Sequence, residues 1–152
     1  MPAEKKFKIQ EWLIFRLWRI SQEAGYELEE FYASEFGLSP VEWHSIAAIA
    51  NYGPVSAKEL AALVDMNQVQ MTRTLSRLLK QGLVSRRTDS SDRRRVVLSL
   101  NKKGEAVYAQ IAPIAQALEE KMLSVFNNQE RRQLLTLLSR LEQTIAIKEA
   151  VI

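Results

Sequence analysis

Cysteine is absent from this sequence, and only one of its 152 residues, His44, is a histidine. Without thiols the chain cannot form thiolate zinc sites, iron–sulfur clusters, cysteine nucleophiles or thiol-based redox sensors. A lone histidine gives little basis for acid–base catalysis. We therefore predict a protein that is not an enzyme and that needs no metal and no cofactor.

Long apolar runs are also missing. No uninterrupted apolar run exceeds five residues, whereas a membrane-spanning helix needs about 20. Residues 1–8 contain no apolar signal region, so we expect a soluble, cytoplasmic protein that does not enter membranes. With only five glycines and four prolines, the composition is typical of a largely helical chain.

Positive charge is concentrated in the middle of the chain. Residues 56–104 contain 11 lysines and arginines against 4 acidic residues, a net charge of +7. The remainder carries 10 against 14, a net charge of −4. A basic segment between acidic flanks indicates a surface for a polyanion such as nucleic acid.

Apolar residues at intervals of three and four predict amphipathic helices in both flanks. A first helix is expected at about residues 8–35. A second, at 40–51, begins with a capping box that starts at Ser39. After the middle segment we expect a helix at about 102–126, in which Pro113 removes a hydrogen bond and produces a kink, and a last helix from 128 through Ile145.

The middle segment predicts two short helices and then a hairpin. Ser56 begins another capping box before a helix at 57–64, and Asn67 caps a helix that ends near Gly82. Over residues 84–100 the apolar period changes to two, with a polar turn in the centre. The predicted fold class is therefore mainly α with a small β-hairpin wing, in the order of a winged helix-turn-helix.

The helix that follows Asn67 has one face of amide, hydroxyl and guanidinium groups. Such groups can read base edges in the major groove of DNA, whose width fits a helix. Basic residues further along this face suit phosphates, and the arginines of the hairpin suit the minor groove. The candidate DNA contacts are Ser56, Gln68, Val69, Gln70, Thr72, Arg73, Arg77, Lys80, Arg86, Arg93, Arg94 and Arg95.

An acidic residue, Asp92, lies beside the arginines of the hairpin tip. Because an acid that contacts DNA would repel phosphate, we predict that Asp92 forms an ion pair with Arg94 and restricts its rotamers. The wing would then present Arg94 in a defined direction.

Several of these motifs together resemble the MarR family of bacterial transcriptional regulators. The resemblance rests on Leu60-Ala61, Thr72-Arg73, the run from Leu78 to Val84 and, most specifically, the run from Asp92 to Gly104. It covers nearly the whole chain, since members also have a long first helix, a capped second helix and two C-terminal helices in this order.

The resemblance implies a sequence-specific regulator of transcription, and we expect a repressor. A homodimer would bind double-stranded DNA at a pseudo-palindromic site, with the helix of Thr72 and Arg73 in the major groove and Arg94 in the minor groove. The implied organisation is one domain over 1–152, with a DNA-binding lobe at 40–104 and dimerisation helices at 1–39 and 105–152.

Members of the family often bind small aromatic or phenolic anions, and Trp18, Trp43 and His44 are candidates for such an effector pocket. Aromatic residues at helical spacing are more often part of a core. A histidine on a helix is more often structural. The sequence leaves both interpretations open.

Two other classes of function are compatible with the same residues. A winged-helix protein-interaction module would use the basic hairpin to bind an acidic partner, but this would not explain the exposed amides after Asn67. An enzyme would need converging carboxylates, whereas neighbours such as Glu29 and Glu30, or Glu119 and Glu120, point about 100° apart on a helix.

Overall fold

The computed structural model describes residues 6–144, and it is mainly helical with one two-stranded antiparallel sheet. This confirms the predicted fold class. The elements are a 3-10 turn at Ile9–Glu11, then α1 (Leu13–Phe36), α2 (Pro40–Tyr52), α3 (Ala57–Leu63), α4 (Gln68–Lys80), β1 (Val84–Thr88), β2 (Val96–Leu100), α5 (Lys102–Leu123) and α6 (Asn128–Thr144). The predicted continuation of the last helix through Ile145 lies outside the described residues.

The predicted ends of the two longest helices need correction. The first helix begins at Leu13 rather than near residue 8, because Ile9–Glu11 forms a 3-10 turn and Trp12 is extended, with φ −72° and ψ 122°. The fifth ends at Leu123 rather than near residue 126, and it continues through Pro113 as one helix. Within residues 6–144 no helix is both long and apolar enough to cross a bilayer.

Polar residues cap the short helices as predicted. Ser39 and Ser56 accept hydrogen bonds from the main chain of Glu42 and Glu59, and the two carboxylates accept from the serine N–H groups in return. The side chain of Asn67 accepts a hydrogen bond of 2.9 Å from the main chain of α4. These caps fix the residues at which α2, α3 and α4 begin.

The hairpin, residues 84–100 and hereafter the wing, is attached to the start of α3. β1 pairs with β2 from Val84 opposite Leu100. The Val55 N–H donates to the Leu98 carbonyl at 3.1 Å, and the Leu98 N–H donates to the Val55 carbonyl at 2.7 Å. Because Val55 lies just before the cap of α3, this pairing joins the wing to the two short helices.

One hydrophobic core holds α2, α3, α4 and the wing together. The middle of α5 and the end of α1 complete it, the latter through the buried ring of Tyr32. Its fully buried side chains include Ile46, Leu60, Met71, Leu75, Leu78, Leu98 and Ile111. The core therefore fixes the position of α4 relative to the wing.

Large apolar side chains remain exposed towards both ends of the chain. They lie on the N-terminal half of α1, near the end of α5 and on α6. Among them are Leu13, Ile14, Leu17, Trp18, Ile20, Met122, Val125, Phe126, Leu135, Leu137 and Leu141. Apolar patches of this kind are typical of protein–protein contacts.

We expect Gly104→Ala to destabilise the protein. Gly104 is buried in the first turn of α5, where an added Cβ would lie 2.1 Å from the main-chain oxygen of Leu83. The main chain would have to shift, and overpacking of this kind typically costs about 1–3 kcal/mol. Urea unfolding followed by circular dichroism measures the change.

The matched control is Gly25→Ala in α1, where nothing lies within 4 Å of the added Cβ. Alanine is favoured over glycine inside a helix by roughly 0.5–1 kcal/mol, so this variant should be at least as stable as the original protein. Equal stability of the two variants would contradict the close packing at Gly104.

Candidate nucleic-acid interface

α4 has two chemically different faces. Met71, Thr74, Leu75 and Leu78 are buried against the core. The opposite face is exposed, and it carries the predicted contacts Gln68, Val69, Gln70, Thr72, Arg73, Arg77 and Lys80. The side of the helix that could enter a groove is therefore the polar one.

The start of α4 offers an apolar group between two amides. Val69 is 63% exposed, and Gln68 and Gln70 on either side of it are exposed as well. The hydroxyl of Thr72 donates to the main-chain oxygen of Gln68 at 2.8 Å, so its proton is engaged within the helix. Its oxygen can still accept a hydrogen bond from a ligand.

The tip of the wing, residues 89–95, is closed by its own hydrogen bonds. The Asp89 N–H donates to the Arg95 carbonyl at 2.8 Å, and the Arg95 N–H donates to the Asp92 carbonyl at 2.9 Å. The Asp89 carboxylate accepts from the N–H and the hydroxyl of Ser91, at 2.9 and 2.8 Å. The tip therefore has a defined conformation.

The predicted ion pair between Asp92 and Arg94 is absent from the described part of the chain. The Asp92 carboxylate instead accepts a hydrogen bond of 2.9 Å from the main-chain N–H of Arg94. This is a local contact within the turn, and it does not involve the guanidinium group of Arg94. The side chains of Arg94, its neighbour Arg93 and Arg86 on β1 are all exposed.

Within residues 6–144, Arg95 is the arginine of the wing that forms ion pairs. Its guanidinium contacts the carboxylate of Glu59 in α3 and, at 3.5 Å, that of Asp89. Glu59 thus contacts both Arg95 and Ser56. Ser56, one of the predicted DNA contacts, is half-buried in the cap of α3. The sequence gives no signal for this pair because its members lie 36 positions apart.

These contacts lower the pKa of both acids. For Glu59 the main cause is the hydrogen bond from the Ser56 N–H, and Arg95 adds to it. For Asp89 the main cause of the lowered pKa is the hydrogen bond from the Ser91 N–H. Both carboxylates therefore stay ionised at a lower pH than ordinary acidic side chains.

Arg77 has an acidic neighbour that the sequence does not indicate. Its Nε atom lies 3.2 Å from Oε1 of Glu42, the residue that closes the capping box of α2. Arg73 and Lys80, on the same face of α4, have no acidic partner within residues 6–144. The cations of α4 are therefore of two kinds, one held by an acid and two facing solvent.

The three residues predicted for an effector pocket lie in different environments. Trp43 is buried and stacks with Tyr32 and Tyr108, at centroid distances of 6.2 and 6.0 Å, so it belongs to the core. Trp18 is exposed on α1. His44 is exposed on α2, and partial desolvation by the surrounding protein atoms lowers its pKa.

An open cleft of about 680 Å³ lies between α1 and α5. Its lining combines charged and apolar side chains, among them Arg16, Arg19, Ile20, Glu23, Leu118, Lys121 and Met122. None of Trp18, Trp43 and His44 lines this cleft.

Two short helices followed by a basic wing, with the polar side of the second helix exposed, define a winged helix-turn-helix protein. The model of the MarR family matches residues 38–96, from just before α2 to the first residue of β2. Over these residues the chain matches the MarR family, as the resemblance of its motifs predicts.

One similar protein is the HTH-type transcriptional regulator BilQ of Clostridium symbiosum (strain WAL-14163). The two are 34% identical over 89 residues, which are 59% of this chain and 62% of BilQ. The chain therefore aligns with less than two thirds of the length of that relative.

Two solved structures have the same fold. A MarR/EmrR family transcriptional regulator from Acinetobacter sp. ADP1 has a TM-score of 0.81 at 19% identity, and the match covers 93% of this chain and 100% of the other. S. aureus MepR, solved as a DNA complex, has a TM-score of 0.81 at 15% identity, with 90% and 98% covered. At these identities the two structures establish the fold alone.

We expect the contacts of Glu59 to stabilise the protein less in acid. A carboxylate with a lowered pKa contributes stability above its unfolded pKa and loses that contribution as the pH falls through the folded value. The ordinary pKa is 4.5 for Glu59, so the loss should begin near that pH. The thermal midpoint, followed from about pH 7 to about pH 3, should fall more steeply for the original protein than for Glu59→Gln.

Glu105→Gln is the control for this measurement, because Glu105 is exposed and forms no ion pair within the described residues. Its pH profile should be as steep as that of the original protein. If the pH profile of Glu59→Gln were as steep as that of the original protein, the ionised Glu59 carboxylate would not stabilise the fold.

Proposed function

We propose that this protein is a homodimeric transcriptional regulator, a repressor, that binds double-stranded DNA through residues 40–104. The observation that carries the proposal is the exposed polar face of α4 beside a wing with exposed arginines. Both belong to the segment 56–104, whose net charge is +7. A regulator of this kind acts in the cytoplasm of a bacterial cell, where the DNA is.

The chemistry of the two surfaces fits the two grooves of DNA. Amides and guanidinium groups on α4 match the donors and acceptors of base edges in the major groove. The exposed Arg93 and Arg94 of the wing suit the negative potential of a narrow minor groove, and Lys80 and Arg86 suit phosphates. The fold shared with S. aureus MepR, which was solved with DNA, supports this arrangement.

The homodimer is supported by the exposed apolar faces of α1 and α6. We propose residues 1–39 and 105–152 as the dimerisation region, of which 1–5 and 145–152 lie outside the described residues. A twofold axis between two such chains would place two copies of α4 in successive major grooves, about 10 base pairs apart. A pseudo-palindromic operator matches that symmetry.

The cleft between α1 and α5 is the better candidate for an effector site than Trp18, Trp43 and His44. Its volume of about 680 Å³ lies within the usual range for ligand pockets. Arg16, Arg19 and Lys121 supply positive charge beside apolar side chains. This combination suits a small aromatic or phenolic anion, whose binding we propose releases the DNA.

Arg73→Ala and Arg94→Ala should each weaken DNA binding by about 1–3 kcal/mol, with an unchanged circular dichroism spectrum. Both side chains are exposed, so their loss removes contacts to DNA rather than to the core. Arg132→Ala is the control, because it removes an exposed arginine from α6, outside residues 40–104. Fluorescence anisotropy with labelled duplexes measures the affinities.

The salt dependence of the same binding adds a second criterion. If about 6–10 phosphates are contacted, the affinity should fall by about 10³ to 10⁵ between about 50 and 200 mM salt. Unaltered affinity in both variants, or an affinity that does not respond to salt, would contradict the proposed function.

Leu137→Asp should convert the dimer to a monomer. Leu137 is 52% exposed on α6, and a charge placed in an apolar contact between chains would be desolvated without a partner. Ser139→Asp adds the same charge at an exposed position on the same helix and should leave the dimer intact. Sedimentation equilibrium distinguishes the two states, and an original protein that is monomeric at all concentrations would contradict the proposal.

A further inference from the structure

Glu42 is a carboxylate inside the protein. Its side chain is 1% exposed, and it belongs to the first turn of α2. One of its oxygens, Oε2, accepts a hydrogen bond of 2.8 Å from the Ser39 N–H, which completes the capping box. The role of Oε2 is therefore to cap the start of α2.

The capping box does not account for the burial of the second oxygen, Oε1. This oxygen is buried and accepts no hydrogen bond within the described residues. A buried charge is costly unless it has a partner, and the group that offsets it is the guanidinium of Arg77, whose Nε lies 3.2 Å away. The cap could be made by a neutral glutamine, so the charge of Glu42 serves another contact.

Arg77 faces both the protein and the solvent. Its side chain is 66% exposed although its Nε lies beside a buried oxygen. A guanidinium group carries five N–H donors in a planar fork. When Nε faces Glu42, the two terminal amino groups remain available for a ligand on the exposed face of α4.

We propose that Glu42 is a positioning residue for DNA binding, an inference that rests on the proposed function. Glu42 holds Arg77 so that its terminal amino groups meet a backbone phosphate when α4 enters the major groove. The rotamer freedom that an arginine loses on binding phosphate is then already lost in the protein without DNA. Arg77 makes the contact, and Glu42 acts only through it.

The sign of one mutational effect separates positioning from simple electrostatics. An acid near DNA repels phosphate, so its removal should strengthen binding if charge alone matters. Glu42→Gln keeps the capping contact with Ser39 but removes the negative charge that pairs with Arg77. Positioning predicts weaker binding, although the variant is more positive by one charge.

The experiment is a double-mutant cycle on the full chain. The probe is a labelled mixed-sequence duplex of about 30 base pairs, long enough for two half-sites. We expect Glu42→Gln to lower the affinity by up to about tenfold, which corresponds to about 1.4 kcal/mol. In the Arg77→Gln background the same change should cause no further loss of affinity. Arg77→Gln itself should reduce the slope of log K against log salt by about 1.8, or about 0.9 for each of the two copies of Arg77 in the dimer.

Two further variants act as controls. Asp65→Asn neutralises an exposed acid between α3 and α4, at a φ of 51° that asparagine tolerates, and it should not weaken binding. Arg77→Lys keeps the charge but not the planar fork, so it should bind DNA less tightly than the original protein. It also covers the case in which Arg77→Gln, which leaves Glu42 without its partner, fails to fold.

Three results would overturn the inference while the proposed function stands. The first is tighter DNA binding by Glu42→Gln than by the original protein. The second is an equal loss of affinity when Glu42→Gln is made in the original protein and in Arg77→Gln. The third is an Arg77→Lys variant that binds DNA as tightly as the original protein. If the original protein does not bind the duplex even at low salt, the proposed function fails and this inference fails with it.

Discussion

The packing of one side of α4 into the hydrophobic core is the constraint on which the rest of the surface depends. Met71, Leu75 and Leu78 are almost completely buried, and burial of each such side chain is worth about 1.5–3 kcal/mol. This burial fixes the rotation of the helix about its axis. The amides and cations at the positions between them must therefore face solvent. The wing joins the same core through Val84 and Leu98, so its tip has a fixed place relative to α4.

The arginines of this surface are of two kinds. Arg95 is held by Glu59, and Arg77 is held by Glu42, so these pairs tie the wing to α3 and α4 to α2. Arg73, Arg93 and Arg94 face solvent. The first kind gives the surface its shape, and in the proposed complex the second kind supplies new contacts to DNA. The acidic flanks keep the positive charge concentrated at this one surface.

Much of the fold could be predicted from the sequence because its signals are local. The capping boxes at Ser39 and Ser56 and the change of apolar period after Gly82 each lie within a few neighbouring residues. The arginine pairs of the interface could not be predicted in this way, because their members come from different elements. Adjacency in sequence suggested Asp92 as the partner of Arg94, but the geometry of a tight turn directs that carboxylate to the main chain. Helical spacing left both the core and an effector pocket open for Trp43, and its burial places it in the core.

Hydroxyl-radical footprinting on the promoter next to the coding region of this protein is the decisive measurement, because regulators of the proposed class often control neighbouring genes. We expect two protected patches, related by a pseudo-palindrome and separated by about one helical turn, or about 10 base pairs. The absence of protection at low salt, or a single patch without a symmetric partner, would contradict the proposed function.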